Sequence, residues 1–500
     1  MKNLFSRHPL FIVLLPIFYV LNTLNLYFPL LRADDFYNSA SLLILGIHVV
    51  ILVIFIARPR YSRYALLLLY LSIVYLFFGS ILASCKKVLP FLAHFKFILP
   101  FQALCALIIF MILKRSKKNS FPVAFLYLNL LLVIFNVIEA GRVLIKNNLW
   151  LTNQLSSKVT SDPVLTTAIC DTCVKPDVYF IVFDGYAGQR SLQEYWDFSN
   201  NSMDTFFRKE GFFYARNSSS NYNFTPFSLG SILNMDYHQH PPSTNDLQEF
   251  CRGTGSISQS KVIELLISNG YSIVNNSCFP LPLHDAALDI NFTANPTSTL
   301  LSQTLPARFS KDVLWNFGMG TSDFIERRLP LSKLHLQQIF KAEEQLLHAS
   351  ATEQQGPAFV YTHFLLPHDP YFFDSTGQRT PDSLWFRTEG DKAYYLSQLK
   401  YCNTLIKKMV HQIKHTGARP RVIILVSDHG YRALEKVDPK QYQYNNLFAI
   451  YYPDGEYSAM YDHISTVNTF PLLFNKYFKA KIPLQKDSTI FSYHDVQKLW

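Results

Sequence analysis

The sequence is poor in charge. Asp, Glu, Lys and Arg make up 16% of its 500 residues, against about 25% in an ordinary soluble protein. With 49% hydrophobic and 15% aromatic residues, a chain disordered in the main is excluded, because so much apolar surface does not stay in water. The apolar residues are also unevenly spread, which argues against a plain cytosolic enzyme. Leu, Ile, Phe and Val dominate roughly the first 145 positions, and the remainder reads as globular. No internal repeat and no low-complexity tract is present. No basic-aromatic module of the RNA-binding kind accompanies the formal net charge of +10, so a nucleic-acid partner is not expected. Much of that excess sits in short loops between apolar segments, where a membrane protein needs it.

The first apolar segment, 9–31, lacks the small-residue cleavage site of a signal peptide and is too long for its core. It reads as an uncleaved transmembrane helix. Four more segments follow at 41–57, 64–83, 97–113 and 122–140, each near the roughly 20 residues a span requires. Lys2 and Arg7, then Arg58, Arg60 and Arg63, then Lys114, Arg115, Lys117 and Lys118 mark one side. The positive-inside rule places that side in the cytoplasm, and everything after the fifth segment outside it. Glu139, near the end of that segment, reads as an interfacial residue. The expected organisation is a five-helix membrane domain over 1–145, a linker over 146–175 and an extracytoplasmic domain over 176–500.

Cysteines are few. Cys170-Asp-Thr-Cys173 has no second CxxC to complete a four-cysteine zinc site, so it reads as an oxidised or inert pair. Cys251 with Cys278 is a candidate bridge in an oxidising compartment.

In the globular part, three short runs rich in β-branched and aromatic residues read as buried strands. They are Pro176-Asp-Val-Tyr-Phe-Ile-Val-Phe-Asp184, Ala358-Phe-Val-Tyr-Thr-His363 and Arg421-Val-Ile-Ile-Leu-Val-Ser-Asp428-His429. Helical patterns at 332–350 and 391–415 lie between them, which implies a mostly parallel α/β sheet. Sites in such sheets form beyond the carboxyl ends of strands. Asp184 and Asp428 each follow a strand, and His429 adds a nitrogen. Two carboxylates and an imidazole suit zinc or manganese, although an Asp after a strand also serves simply as a cap. Thr225 precedes Pro226 and an apolar run, reading as an N-cap with Pro at the first helical position. A helix start there also favours an anion, making Thr225 the candidate nucleophile and Ser228 its alternative. His368, in a Pro-flanked loop after the second strand, is placed to meet an oxyanion or a leaving group. His363 reads rather as a hydrogen-bonded strand-end residue.

In order and spacing these residues resemble the alkaline-phosphatase/sulfatase superfamily. The segment Asp462-His-Ile-Ser-Thr-Val-Asn-Thr-Phe-Pro-Leu-Leu-Phe474 is similar to the one that closes its domains. Membrane helices before such a domain also resemble lipoteichoic-acid synthases and lipid A phosphoethanolamine transferases. The resemblance implies a multi-span α-helical membrane domain followed by a sulfatase-like α/β domain. It implies one divalent metal, zinc or manganese ahead of calcium or magnesium, held by Asp184, Thr225, Asp428 and His429. Thr225 would be the nucleophile and His368 would bind phosphoryl oxygens or help the leaving group. The implied function is transfer of a phosphoglycerol- or phosphoethanolamine-type headgroup from a membrane phospholipid donor to an envelope glycan or polymer acceptor. The alternatives are a periplasmic phosphate or sulfate ester hydrolase and a non-catalytic envelope scaffold. The chain lacks a Cys/Ser-x-Pro-x-Arg motif for formylglycine; Thr304-Leu-Pro-Ala-Arg308 begins with Thr. It also lacks the Asp-x-x-x-His of a second metal site near His368, and has Asp184 where the named transferases carry Glu. The sequon Asn223-Phe-Thr225 would place a glycan on the nucleophile in a eukaryotic lumen. That points to the bacterial cytoplasmic membrane, with the catalytic domain outside.

Overall fold

The computed structural model describes residues 2–28, 31, 33–116, 120–155, 168–239, 247–288, 296–312, 331–352, 355–381, 384, 391–432 and 442–491. The chain divides into two compact units. The first comprises Met1–Leu151 with Thr293–Pro330 and Trp500, and the second Thr152–Phe292 with Leu331–Leu499.

Among the described residues of the first unit, three helices are long and apolar enough to cross a membrane: Ser39–Ala57, Phe95–Arg115 and the 27 residues Pro122–Asn148. Pro59–Leu76 and Phe78–Val88 make a fourth such element only if the pair, bent by 77°, is one span. The segment expected over 9–31 is an apolar helix of 16 residues, Phe11–Leu26. The last helix continues to Leu155, past the expected start of the linker. A backbone group freed near the bend is bonded within the same unit. The Gly79 N–H donates to the Gln303 carbonyl at 2.9 Å, and a Cβ at Gly79 would lie 2.2 Å from Gln303 Oε1. Gln303 lies between two short helices, Pro296–Leu301 and Leu305–Asp312, which belong to this unit. Its Nε2 donates to Tyr27 Oη at 2.7 Å, and Thr297 Oγ1 donates to Asn38 Oδ1 at 3.0 Å. A single boundary near residue 175 therefore does not capture the division, because a stretch from the middle of the globular sequence packs with the membrane helices. Glu139 is buried, accepting from Asn25 Nδ2 at 2.6 Å and Arg142 Nη1 at 2.8 Å.

The second unit is built on a six-stranded sheet of order β2-β6-β5-β1-β4-β3. Its strands are β1 Asp177–Phe183, β2 Phe213–Tyr214, β3 Ser272–Asn276, β4 Ala358–Phe364, β5 Arg421–Ser427 and β6 Phe448–Tyr451. β1 pairs in parallel with both β4 and β5, and β3 pairs in parallel with β4. β6 runs antiparallel to β5 and β2. The three strands expected from sequence are the central ones, and each is buried at every position. Continuous apolar runs suit strands covered on both faces. The helices Leu331–Ala351 and Lys392–His415 fall where the periodicity places them. Cys170 and Cys173 form a disulfide. The expected Cys251–Cys278 bridge is absent: Cys278 is a buried thiol, and burial pushes its pKa above the usual thiol range.

Phe180 ties the sheet to the closing helix Thr469–Tyr477. Its ring centroid lies 5.3 Å from Tyr361, 6.3 Å from Phe359 and 5.1 Å from Phe470. Phe180→Ala is expected to cost about 3–5 kcal/mol, read as a lower denaturation midpoint of the detergent-solubilised chain. A loss below about 1 kcal/mol would show that this contact is not what holds the sheet.

Candidate active site

The register of β1 on β5 pairs Phe183 with Ser427. The next residue on each strand is an aspartate, so Asp184 and Asp428 emerge side by side at the carboxyl edge of the sheet. Both are fully buried, and His429 is 1% exposed. One ligand atom from each of Asp184, Asp428 and His429 lies within 4.8 Å of the others. His429 Nε2 is 3.4 Å from Asp184 Oδ1 and 3.3 Å from Asp428 Oδ2.

The backbone fixes these groups. Asp428 Oδ1 accepts the N–H groups of Gly185 at 3.1 Å and His429 at 3.0 Å. Its Oδ2 and both oxygens of Asp184 are buried and accept no hydrogen bond. His429 Nδ1 sits 2.7 Å from the Gly430 carbonyl. That contact requires the proton on Nδ1 and leaves the Nε2 lone pair facing the carboxylates. Gly185 has φ +69°, and a Cβ there would approach His429 Cε1 to 3.5 Å and His368 Cδ2 to 3.8 Å. Only glycine adopts this turn without strain.

Thr225 is 4% exposed, with Oγ1 at 3.4 Å from His429 Nε2. It is the first residue of the helix Thr225–Asn234 rather than its cap; the N-cap is Phe224, which provides no side-chain bond. The Ser228 hydroxyl donates to the Asp428 carbonyl, which commits the alternative nucleophile to bracing the β5 turn. His368 lies in the loop after β4. Its N–H donates to the Asp184 carbonyl at 3.1 Å, and its ring centroid is 6.5 Å from that of His429. All five residues expected from sequence thus gather at one edge of the sheet.

Two further residues join them. Arg432 Nη2 donates to His368 Nε2 at 2.9 Å, and Nη1 is 3.5 Å from the Asn223 carbonyl. A cation four residues beyond Asp428 was a readable signal for an anion site. His363, fully buried, has Nε2 at 3.9 Å from Asp184 Oδ2. Its closeness follows from its pairing with Val182, which sequence alone does not give.

Burial, then the neighbouring Asp428, pushes the Asp184 carboxyl up to about 7. Burial also raises Asp428, but His429 and His363 outweigh it and hold that carboxyl below the usual range. Burial, then the Arg432 charge, drives His429 down to about 3. Burial lowers His368, yet Asp369 and Asp184 outweigh it and leave the ring above its ordinary value. Three orphaned carboxylate oxygens around a neutral imidazole suit a divalent cation, since buried charges require a partner. Among the described residues, this is the one such cluster of His, Cys, Asp and Glu.

At neutral pH His429 is already deprotonated, so the proton on Asp184 is the one that competes with a metal. Its raised pKa means the competition grows as pH falls below about 7. Metal affinity is expected to drop about tenfold per unit there. The melting-temperature gain from added zinc or manganese should therefore be larger at pH 8 than at pH 5. Equal gains would contradict this assignment.

The chain from residue 180 to 471 matches the Sulfatase family model. No curated protein sequence matches the chain. Among solved structures, it is similar to the integral membrane lipooligosaccharide phosphoethanolamine transferase A of Neisseria meningitidis. The identity is 11% and the TM-score 0.34, over 95% of this chain and 96% of that one. It is also similar to the C-terminal periplasmic domain of a phosphoethanolamine transferase from Campylobacter jejuni, at 13% identity and TM-score 0.36, over 62% and 92% of the two chains. A putative sulfatase from Bacteroides fragilis matches at 10% identity and TM-score 0.35, over 64% and 77%. With the family match spanning more than half its length, the chain belongs to the Sulfatase family, within the alkaline-phosphatase/sulfatase superfamily of enzymes acting on phosphate and sulfate esters.

Proposed function

We propose that this protein transfers a phospho-headgroup from a membrane phospholipid to a hydroxyl of an envelope glycan through a covalent intermediate on Thr225. The observation that carries the reading is the Thr225 hydroxyl, buried at a helix start, 3.4 Å from His429 Nε2 and beside the orphaned carboxylates. The absence of a Cys or Ser in a formylglycine motif at this position argues against a sulfate ester as substrate. A membrane-helix unit in the same chain supports a lipid donor. Asn38, Gly79 and Tyr27, which bond the 296–312 segment, all lie on the ends that the positive-inside rule puts outside. This supports a catalytic domain outside the cytoplasmic membrane of a bacterium.

Asp184, Asp428, His429 and Thr225 would hold one divalent metal, zinc or manganese. Such an ion supplies a Lewis acid that lowers the pKa of a hydroxyl and offsets phosphoryl charge. Thr225 Oγ1 bonds to phosphorus, and the phosphorus–oxygen bond to diacylglycerol breaks. Diacylglycerol departs with the proton that Thr225 loses, and His368 stands where it can pass that proton on. The Arg432 guanidinium binds the non-bridging oxygens. An acceptor hydroxyl then attacks phosphorus, the Thr225 oxygen–phosphorus bond breaks, and Thr225 regains its proton.

Mass spectrometry of the Thr225 peptide, after incubating the full chain with mixed phospholipids and divalent metal, tests the reading. A phospho-headgroup adduct is expected on the wild type and none on Thr225→Ala. Metal-loaded protein that releases headgroup to water without any adduct would instead mark a hydrolase. Arg432→Ala is expected to raise the KM for phospholipid about tenfold or more, as loss of a charge-assisted bond does. An unchanged KM would remove Arg432 from the phosphoryl site.

A further inference from the structure

We infer that a cavity of about 240 Å³ in the second unit seats the hydroxyl-bearing acceptor as a single glycan unit. The inference rests on the transfer reaction proposed above and identifies where its second substrate sits.

The same chain segments build the cavity and the candidate active site. Arg190 is the second residue of the helix Gln189–Trp196, which follows the loop leaving β1. Asn217, Ser218 and Ser219 begin the stretch that ends at Thr225, and Tyr444 and Asn445 precede β6. β6 and β2 run antiparallel to each other, and β6 antiparallel to β5. The start of β6 and the end of β2 therefore lie at the carboxyl edge of β1 and β5, where Asp184 and Asp428 emerge. The two sites are also bonded together. Asn223 Nδ2 donates to Gln443 Oε1 at 2.6 Å, and the Gly430 N–H donates to the Gln443 carbonyl at 2.8 Å. Gln443 adjoins Tyr444 on the cavity wall, about 3.8 Å away in Cα, and Asn223 is two residues from Thr225.

The lining narrows the ligand. It offers hydroxyls from Ser219 and Thr489, the Asn217 amide oxygen, the Tyr444 ring and one guanidinium, with no carboxylate among its residues. The Ser218 hydroxyl already donates to the Asn446 carbonyl, and Asn217 Nδ2 to Asp462. That set does not suit a cation. Amides and hydroxyls recognise hydroxyl groups, and a tyrosine ring provides a face for the apolar side of a sugar. The volume is below the roughly 300–1,000 Å³ of a drug-sized site, which fits one sugar unit of a larger acceptor. The wall is fixed before any ligand arrives. Asn445 Oδ1 accepts the Ser191 N–H at 2.9 Å, and its Nδ2 donates to the Ser218 carbonyl at 3.0 Å. The Ser219 backbone bonds Ile464 and Thr466, each at 3.1 Å, so a larger side chain at 219 acts on the cavity.

The test uses the full chain in detergent, with an equimolar mixture of maltotriose, chitotriose and cellotriose as probe. Saturation-transfer NMR reads saccharide binding, and mass spectrometry reads formation and decay of the Thr225 adduct. Ser219→Trp fills the cavity, and Asn217→Ala removes one amide at an exposed position together with its bond to Asp462, so the melting temperature of each variant is read alongside. Both variants are expected to form the adduct at the wild-type rate. The saccharide concentration that half-maximally speeds adduct decay should rise about tenfold or more in each, with binding weakened in step. If the adduct forms but saccharide binding and adduct decay are the same in all three proteins, the cavity is not the acceptor seat. If saccharide binds the wild type and is lost in the variants while no adduct forms in any of them, the cavity stands as a glycan site and the transfer reaction is what fails.

Discussion

The second unit is organised around two carboxylates that its strand register forces together. β1 and β5 run in parallel with Phe183 opposite Ser427, so the aspartates that follow leave the sheet as neighbours. Their ligand atoms lie within 4.8 Å in a fully buried site. Two unit charges at that distance repel by about 3–4 kcal/mol even at an effective dielectric constant near 20. The fold leaves this repulsion standing, with three of the four carboxylate oxygens unbonded. A protein that buries charge in this way requires a cation in the site or a proton on one acid. The upward shift of Asp184 and the downward shift of His429 describe the protonated alternative.

The surrounding geometry serves the same centre. Gly185 takes a left-handed turn that only glycine tolerates well, and this brings its N–H onto Asp428 and keeps space for His429 and His368. Gly430 selects the His429 tautomer by accepting at Nδ1. Ser228 braces the Asp428 carbonyl from the helix that begins with Thr225. A shift in any one of these would move a ligand atom rather than merely loosen the core. The first unit shows a related economy. Gln303 takes up the Gly79 N–H at the bend between two apolar helices, so the backbone group freed by the bend is bonded.

Much of this was legible in the sequence. The three central strands could be read because they are buried on both faces and their apolar runs are unbroken. Asp184, Thr225, His368, Asp428 and His429 could be read because each stands just beyond a strand or at a helix start. The outer strands could not. β2 has two residues and β3 is only partly buried, so neither carries a pattern strong enough to distinguish from a loop. The contact of Arg432 with His368 and the approach of His363 to Asp184 depend on register and on a loop path that periodicity does not encode. The Cys251–Cys278 bridge rested on an oxidising compartment, which permits disulfides but carries no geometry. The two short helices within 296–312 escaped because their tie to the rest of the first unit runs through Gln303 and Thr297 to partners about 220–280 residues earlier in the chain.

The most direct measurement is the metal content of the purified full chain by inductively coupled plasma mass spectrometry, for wild type, Asp184→Asn and Asp428→Asn. One equivalent of zinc or manganese per wild-type chain, lost in both variants with the fold retained, is the result this account predicts. A folded wild type that takes up no divalent metal when supplied with it, or variants that keep a full equivalent, would contradict it.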